Sequence, residues 1–196
     1  KLENVMVGDH GSIILMDWGC ATATKAYTMN HIPITPSHTI KKPFGTPCFM
    51  PPELARGEGA DIHTWSDVYQ LGGMLYEIIE NRPPRSGTEI EEVIRQGVQG
   101  VIDPMTSASS YLRDICMDAL HPDPKERIQH ARDFVERVRR YLSIQASEQL
   151  AQQARGALEI CTKAIQGSIQ SDRSILLELQ KTIYTFEQAE KIGDSE

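Results

Sequence analysis

Apolar residues are spaced in three different ways along this chain. Near its start, Val5-Met6-Val7 and Ser12-Ile13-Ile14-Leu15 flank Gly8-Asp9-His10-Gly11. Two short β-branched runs around a Gly/Asp turn predict a hairpin. From Cys20 to Pro52 no periodicity persists, and Thr and Pro accumulate instead. A loop of that length inside a compact domain either has a function or is disordered. Ser66-Asp67 then introduces Val68, Leu71, Leu75 and Ile78-Ile79, the i, i+3, i+4 spacing of a buried helix. Shorter helical patterns follow over 89–96, 110–120 and 130–142.

The third spacing is that of the tail. Ala146, Leu150, Ala154, Leu158, Cys161, Ile165 and Ile169 form one stripe, and Leu176, Leu179, Ile183, Phe186 and Glu190 keep a near-heptad rhythm. Gln170-Ser171-Asp172 offers a stop and an N-cap between them, so the two stripes predict an antiparallel helical hairpin. Proline supports this division: all 11 lie at or before Pro124, where Pro would break a helix. The expectation is a mainly α chain with one short β-hairpin, a loop-rich globular unit over 1–142 and a helical hairpin over 143–196. The tail's stripes are either a simple packing face or a surface for a protein partner.

Charge narrows the functional classes. The net charge of −7 argues against a nucleic-acid binder, which needs clustered Lys and Arg to neutralise phosphates. The longest aliphatic run, Ile13-Ile14-Leu15-Met16, is far shorter than the roughly 18–20 residues of a membrane span. Cys20, Cys48, Cys116 and Cys161 lie far apart with no zinc-type spacing, which points to reduced thiols in a cytoplasmic setting.

Candidate chemistry sits in three separated segments: Lys1-Leu2-Glu3-Asn4, Met16-Asp17-Trp18-Gly19, and Gly45 to Glu53. An Asn before one strand of a hairpin and an Asp after the next put an amide oxygen and a carboxylate at the same end. Such hard oxygen ligands suit Mg²⁺, which takes one or two protein ligands plus phosphate oxygens. Each segment alone is weak, and Asp17-Trp18-Gly19 reads equally as a plain turn. Their order is more specific, and it resembles the C-terminal lobe of a eukaryotic-type, bacterial-style Ser/Thr protein kinase. Lys1-Leu2-Glu3-Asn4 resembles the end of the catalytic loop H-R-D-x-K-x-x-N, and Asp17-Trp18-Gly19 resembles D-F-G with Trp for Phe. Gly45-Thr46-Pro47-Cys48-Phe49-Met50-Pro51-Pro52-Glu53 is similar to G-T-P-x-Y-M-A-P-E. Ser66-Asp67-Val68-Tyr69-Gln70-Leu71-Gly72 resembles S-D-V-Y-x-L-G, and Pro122-Asp123-Pro124-Lys125-Glu126-Arg127 resembles D-P-x-x-R.

The resemblance implies a role for each matched residue. Asn4 and Asp17 would hold Mg²⁺ against ATP phosphates, and Lys1 would meet the moving γ-phosphoryl group as a point charge. Thr46 would tie Lys1 and the catalytic Asp to the substrate-binding loop. Glu53 and Arg127 would form a buried ion pair anchoring the activation segment, and Asp67 would hold catalytic-loop backbone. Ser37 and Thr39, then Thr35, are expected phosphosites beside Lys41 and Lys42. Trp18 is expected to bias the packing that separates active from inactive states. The catalytic Asp and the nucleotide-binding lobe would precede Lys1, so the chain by itself is expected not to transfer phosphate. The alternative is a pseudokinase or scaffold acting through the helical tail, against which the intact Lys1, Asn4 and Asp17 argue.

Overall fold

The first apolar runs pair as an antiparallel hairpin, β1 (Val5–Val7) and β2 (Ile13–Leu15), in the register Val5↔Leu15, Met6↔Ile14 and Val7↔Ile13. The chain reverses through a short helical turn in which His10 and Gly11 take positive φ. The computed structural model describes residues 1–24, 34–166, 177–178, 180–185 and 187–188. These fall into two units, Lys1–Arg137 and Val138–Glu196.

In the first unit, the stretch without periodicity is better organised than its sequence predicts. β3 (Thr22–Ala23) and β4 (Thr35–Pro36) pair in parallel, with Thr22 opposite Thr35 and Ala23 opposite Pro36. A short helix, α1 (Pro52–Ala55), follows, with Pro in its first turn where a missing N–H costs nothing.

The central helix α2 (Thr64–Glu80) begins two residues before the Ser66 start expected from the pattern. The reason lies at its start: the Ser66 N–H donates to the His63 carbonyl at 2.9 Å, and the His63 N–H donates back to Ser66 Oγ at 3.2 Å, half of a capping box. Asn81 closes the helix in the left-handed region. α3 (Ile90–Gln99) and α4 (Ser110–Ala119) complete this unit, the latter capped by Ser109. α2 packs on α4, closely enough for the Cys116 thiol to donate to the Gly72 carbonyl at 3.4 Å. Burial there pushes the Cys116 thiol up to about 12.

Two apolar clusters hold the unit together. Tyr69, Tyr76, Met105, Cys116 and Leu120 form one. Met50, Leu54 and Ala55 form the other, flanked by Ile40, Phe44, Ile62 and Val98. Each fully buried large side chain adds about 1.5–3 kcal/mol, so the second cluster fixes the segment before α1 as well as α1 itself.

The patterns over 130–142 and from 146 onward merge into one 36-residue helix, α5 (Ala131–Gln166). No Pro interrupts them, and Ser143 between Leu142 and Ile144 is too weak a breaker to end a helix. In the second unit Ala154 and Cys161 are buried along α5, as is Thr182 farther on. The expected hairpin connection at 170–172 lies outside the described residues, as do Ile169, Leu176, Leu179, Phe186 and Glu190 and the side chain of Ile165. Among the described residues no helix is long and apolar enough to cross a membrane. The four cysteines are free.

Candidate active site

Pairing of β1 with β2 brings Asn4 and Asp17 to one end of the hairpin. The Met16 N–H donates to the Asn4 carbonyl at 2.8 Å, extending the ladder by one step and setting the two side chains side by side. Asn4 Nδ2 donates to Asp17 Oδ2 at 3.5 Å, across exposed surface. Asp17 has φ 58° and ψ 67°, a left-handed backbone that costs a non-glycine residue about 1–2 kcal/mol. Such strain collects at working sites, and here it turns the carboxylate back toward Asn4.

This donor set fits a hard divalent cation. Asp17 supplies a carboxylate, and rotating the Asn4 amide by half a turn presents its oxygen where the NH₂ now points. No group of three or more His, Cys, Asp and Glu suited to a metal occurs among the described residues. The fit is therefore to a cation that takes few protein ligands and completes its shell with phosphate and water. Lys1 lies one turn before Asn4, 3.9 Å from Glu3 Oε2, and the Asn4 N–H donates to its carbonyl.

Trp18 does not pack inward. Its indole N–H donates to the Leu15 carbonyl at 2.9 Å while the ring is 67% exposed. Beyond it a groove of about 390 Å³ is lined by Gly19, Ala21, Thr35, Thr39, Lys41, Lys42 and their neighbours. Thr35 and Thr39 are exposed, and the Thr39 hydroxyl donates to the Pro36 carbonyl at 2.7 Å. Ser37, ranked first with Thr39 among the expected phosphosites, is only 3% exposed. The turn at Gly59 packs against it: a Cβ at Gly59 would lie 2.1 Å from the Ser37 carbonyl oxygen, so only glycine allows the approach. Of the three expected phosphosites, Thr35 and Thr39 are exposed and Ser37 is buried.

Thr46 precedes the helical turn Pro47–Phe49 and accepts the Phe49 N–H through its carbonyl; its side chain is exposed and makes no hydrogen bond among the described residues. At the far end of the segment, Glu53 and Arg127 meet with both side chains fully buried. Arg127 Nη1 donates to Glu53 Oε1 at 2.9 Å and Nη2 to Oε2 at 3.2 Å, a bidentate pair spanning 74 positions. Ser66 Oγ donates to the same Oε1 at 2.7 Å, and Arg127 also reaches the carbonyls of His121 and Trp65. Removed from water, the two charges are stable only because this network satisfies them. Asp67, one residue on, is exposed at the surface and makes no hydrogen bond among the described residues, and partial desolvation by its neighbours raises its carboxyl above the ordinary range.

Two buried positions beside this network are given no role by the sequence alone. Arg85 is completely buried, and Tyr69 lies between it and Arg127, whose guanidinium stands 4.8 Å from the ring centroid. Tyr69 stands in the Ser66 to Gly72 motif but outside the apolar stripe, and nothing around Arg85 in the sequence marks it as buried.

A family model described as the protein kinase domain matches residues 1–138. The chain belongs to the protein kinase family. Among its relatives, the probable serine/threonine-protein kinase PknB of Bifidobacterium longum is 32% identical over 149 residues, 73% of this chain and 20% of that protein. The serine/threonine-protein kinase PknB of Mycolicibacterium smegmatis is 33% identical over 140 residues, 68% of this chain and 21% of its own length. A probable serine/threonine-protein kinase of Corynebacterium efficiens is 35% identical over 119 residues, 59% of this chain and 16% of that protein. The kinase chain thus spans about a fifth of the length of these curated relatives. Its mainly α architecture with one small antiparallel hairpin is that of a kinase C-lobe.

Proposed function

We propose that this chain is the C-lobe portion of a cytoplasmic Ser/Thr protein kinase that transfers the γ-phosphoryl group of ATP to protein hydroxyls with Mg²⁺. The observation that carries the reading is the juxtaposition of Asn4 and Asp17 at the end of the hairpin, with Asp17 held in a left-handed backbone. Asn4 and Asp17 would hold the metal, whose chemistry would be to neutralise charge on the phosphates during transfer. Asn4 and Asp17 supply its oxygens, Lys1 offers a cation to the phosphoryl group, and exposed Thr46 stands at the head of the peptide-recognition segment. Asp67, which makes no hydrogen bond among the described residues, would hold catalytic-loop backbone in the assembled kinase, and the Glu53–Arg127 pair anchors the segment from its far end. Residues 1–142 form the lobe in this reading and 143–196 an extension, where the exposed Leu158 and Ile160 suit a protein partner. Thr39 and Thr35 are the regulatory phosphosites, with Lys41 and Lys42 nearby to receive a phosphate.

The test uses a full-length kinase polypeptide carrying this chain, labelled ATP and a Ser/Thr peptide. Transfer is expected to need Mg²⁺ and to fall to less than about a tenth in Asp17→Asn, which removes a charge and almost no volume. Mass spectrometry after ATP treatment should find phosphate on Thr39 or Thr35 and none on Ser37. An Asp17→Asn variant at wild-type rate would overturn the metal assignment.

A further inference from the structure

Arg85 is a fully buried cation whose partners, among the described residues, are carbonyls and a phenol rather than a carboxylate. Nη1 donates to the Met50 carbonyl at 2.8 Å and to that of Pro47 at 3.3 Å, Nε donates to the Val101 carbonyl at 3.2 Å, and Nη2 donates to the Tyr69 hydroxyl. Four of the five guanidinium donors are therefore engaged. Burying a guanidinium without a counter-charge costs several kcal/mol before hydrogen bonds offset it, and an apolar side chain would fill the same volume without that cost. What the guanidinium provides is direction: a rigid planar fork fixes the peptide planes it touches. Two of those planes, at Pro47 and Met50, bracket Cys48 and Phe49 in the middle of the segment that ends at Glu53.

The surroundings are shaped for this group. A Cβ on Gly97 in α3 would lie 2.8 Å from Arg85 Nη1 and 3.2 Å from Ala55 Cβ, so glycine leaves the space the guanidinium fills. Arg85 stands 5.7 Å from the Tyr69 ring centroid, and Arg127 is over the same ring. The segment is thus held at two points, its end through Glu53–Arg127 and its middle through Arg85.

We propose that Arg85 is a positioning residue for peptide recognition: it sets the backbone at Pro47 to Met50 and, through it, the presentation of Thr46 and Cys48 to the substrate. This rests on the kinase reading above. The informative variants are Arg85→Lys, which keeps the charge and loses the fork, and Gly97→Ala, which displaces the guanidinium without altering it and serves if the first does not fold. In the full-length polypeptide, either folded variant is expected to raise the peptide KM about tenfold while leaving the ATP KM within about twofold. Amide exchange at Phe49 and Met50 should quicken by a similar factor while α2 stays protected. An unchanged peptide KM, an equal rise in both KM values, or unchanged exchange at Phe49 and Met50 would each overturn the proposal while the wild type still transfers phosphate. A wild type that transfers none under any metal condition would instead refute the kinase reading, and the Arg85 assignment with it.

Discussion

The Glu53–Arg127 region and the Asn4–Asp17 region sit in one unit of the molecule and are built on opposite terms. Around Glu53, both carboxylate oxygens are bonded, the guanidinium opposite reaches two carbonyls besides, and no water touches either side chain. Around Asp17, a single long hydrogen bond joins the exposed carboxylate to the half-buried Asn4 at the end of a three-residue ladder, and Met6, Val7, Ile13, Ile14 and Leu15 are exposed along the strands. Groups that hold a shape must be satisfied in the folded state, because a stranded buried charge is costly. Groups that meet a ligand are left short of partners, so that the ligand can complete them. In the proposed kinase reading, the contrast would separate the anchoring machinery from the chemical machinery within one set of motif residues.

The largest effect should come from breaking the anchored side. Glu53→Ala and Arg127→Ala should each cost about 3–5 kcal/mol, since each leaves its partner's charge buried and alone. The double variant should cost clearly less than the sum. Urea denaturation of all four proteins checks this; additive losses would mean that the pair does not act as a unit. On the open side, Asp17→Asn should change stability by less than about 0.5 kcal/mol, because it disturbs only exposed contacts. A loss as large as that of Glu53→Ala would erase the distinction between the two regions.

The smallest effect concerns Asp67, which adjoins the anchor through Ser66 yet has no hydrogen bond of its own among the described residues. Its carboxyl is raised in the folded chain by partial desolvation, so the native state holds a proton that the unfolded chain has released. Stability from this group therefore falls as pH climbs from the ordinary carboxylate range through the raised value, and the deficit persists at neutral pH. Asp67→Asn should make the protein slightly more stable at neutral pH and indistinguishable from wild type in strong acid. Thermal melts across pH resolve this, and a variant less stable at pH 7 would show that the charge is used.

Much of this was legible because periodicity and motif order are local properties of a sequence. The hairpin followed from two β-branched runs around a Gly/Asp turn, and α2 from its i, i+3, i+4 stripe. Glu53 and Arg127 were named as partners because each stands in a recognisable motif, although no local rule links positions 74 apart. What stayed hidden depends on tertiary surroundings. Ser37 looks like any polar loop residue until the turn at Gly59 closes on it. Arg85 follows two prolines in a polar stretch, and only the meeting of Met50, Pro47, Val101 and Tyr69 makes a buried site for it. The long α5 was divided at Ser143 on the strength of two separate stripes, when nothing in the chain there ends a helix.

The two tryptophans happen to fall one in each of the contrasted regions. Trp18 projects into water at the end of β2, so its emission should lie far to the red and be open to soluble quenchers. Trp65 is stacked on His63 with ring centroids 4.2 Å apart, and its backbone carbonyl is one of the groups that Arg127 holds. A stacked imidazole quenches indole emission, so Trp65 should stay dim while the anchor is closed and brighten when it parts. The chain carries two optical reporters of different colour and brightness, one at the hairpin end and one for the anchor coming undone.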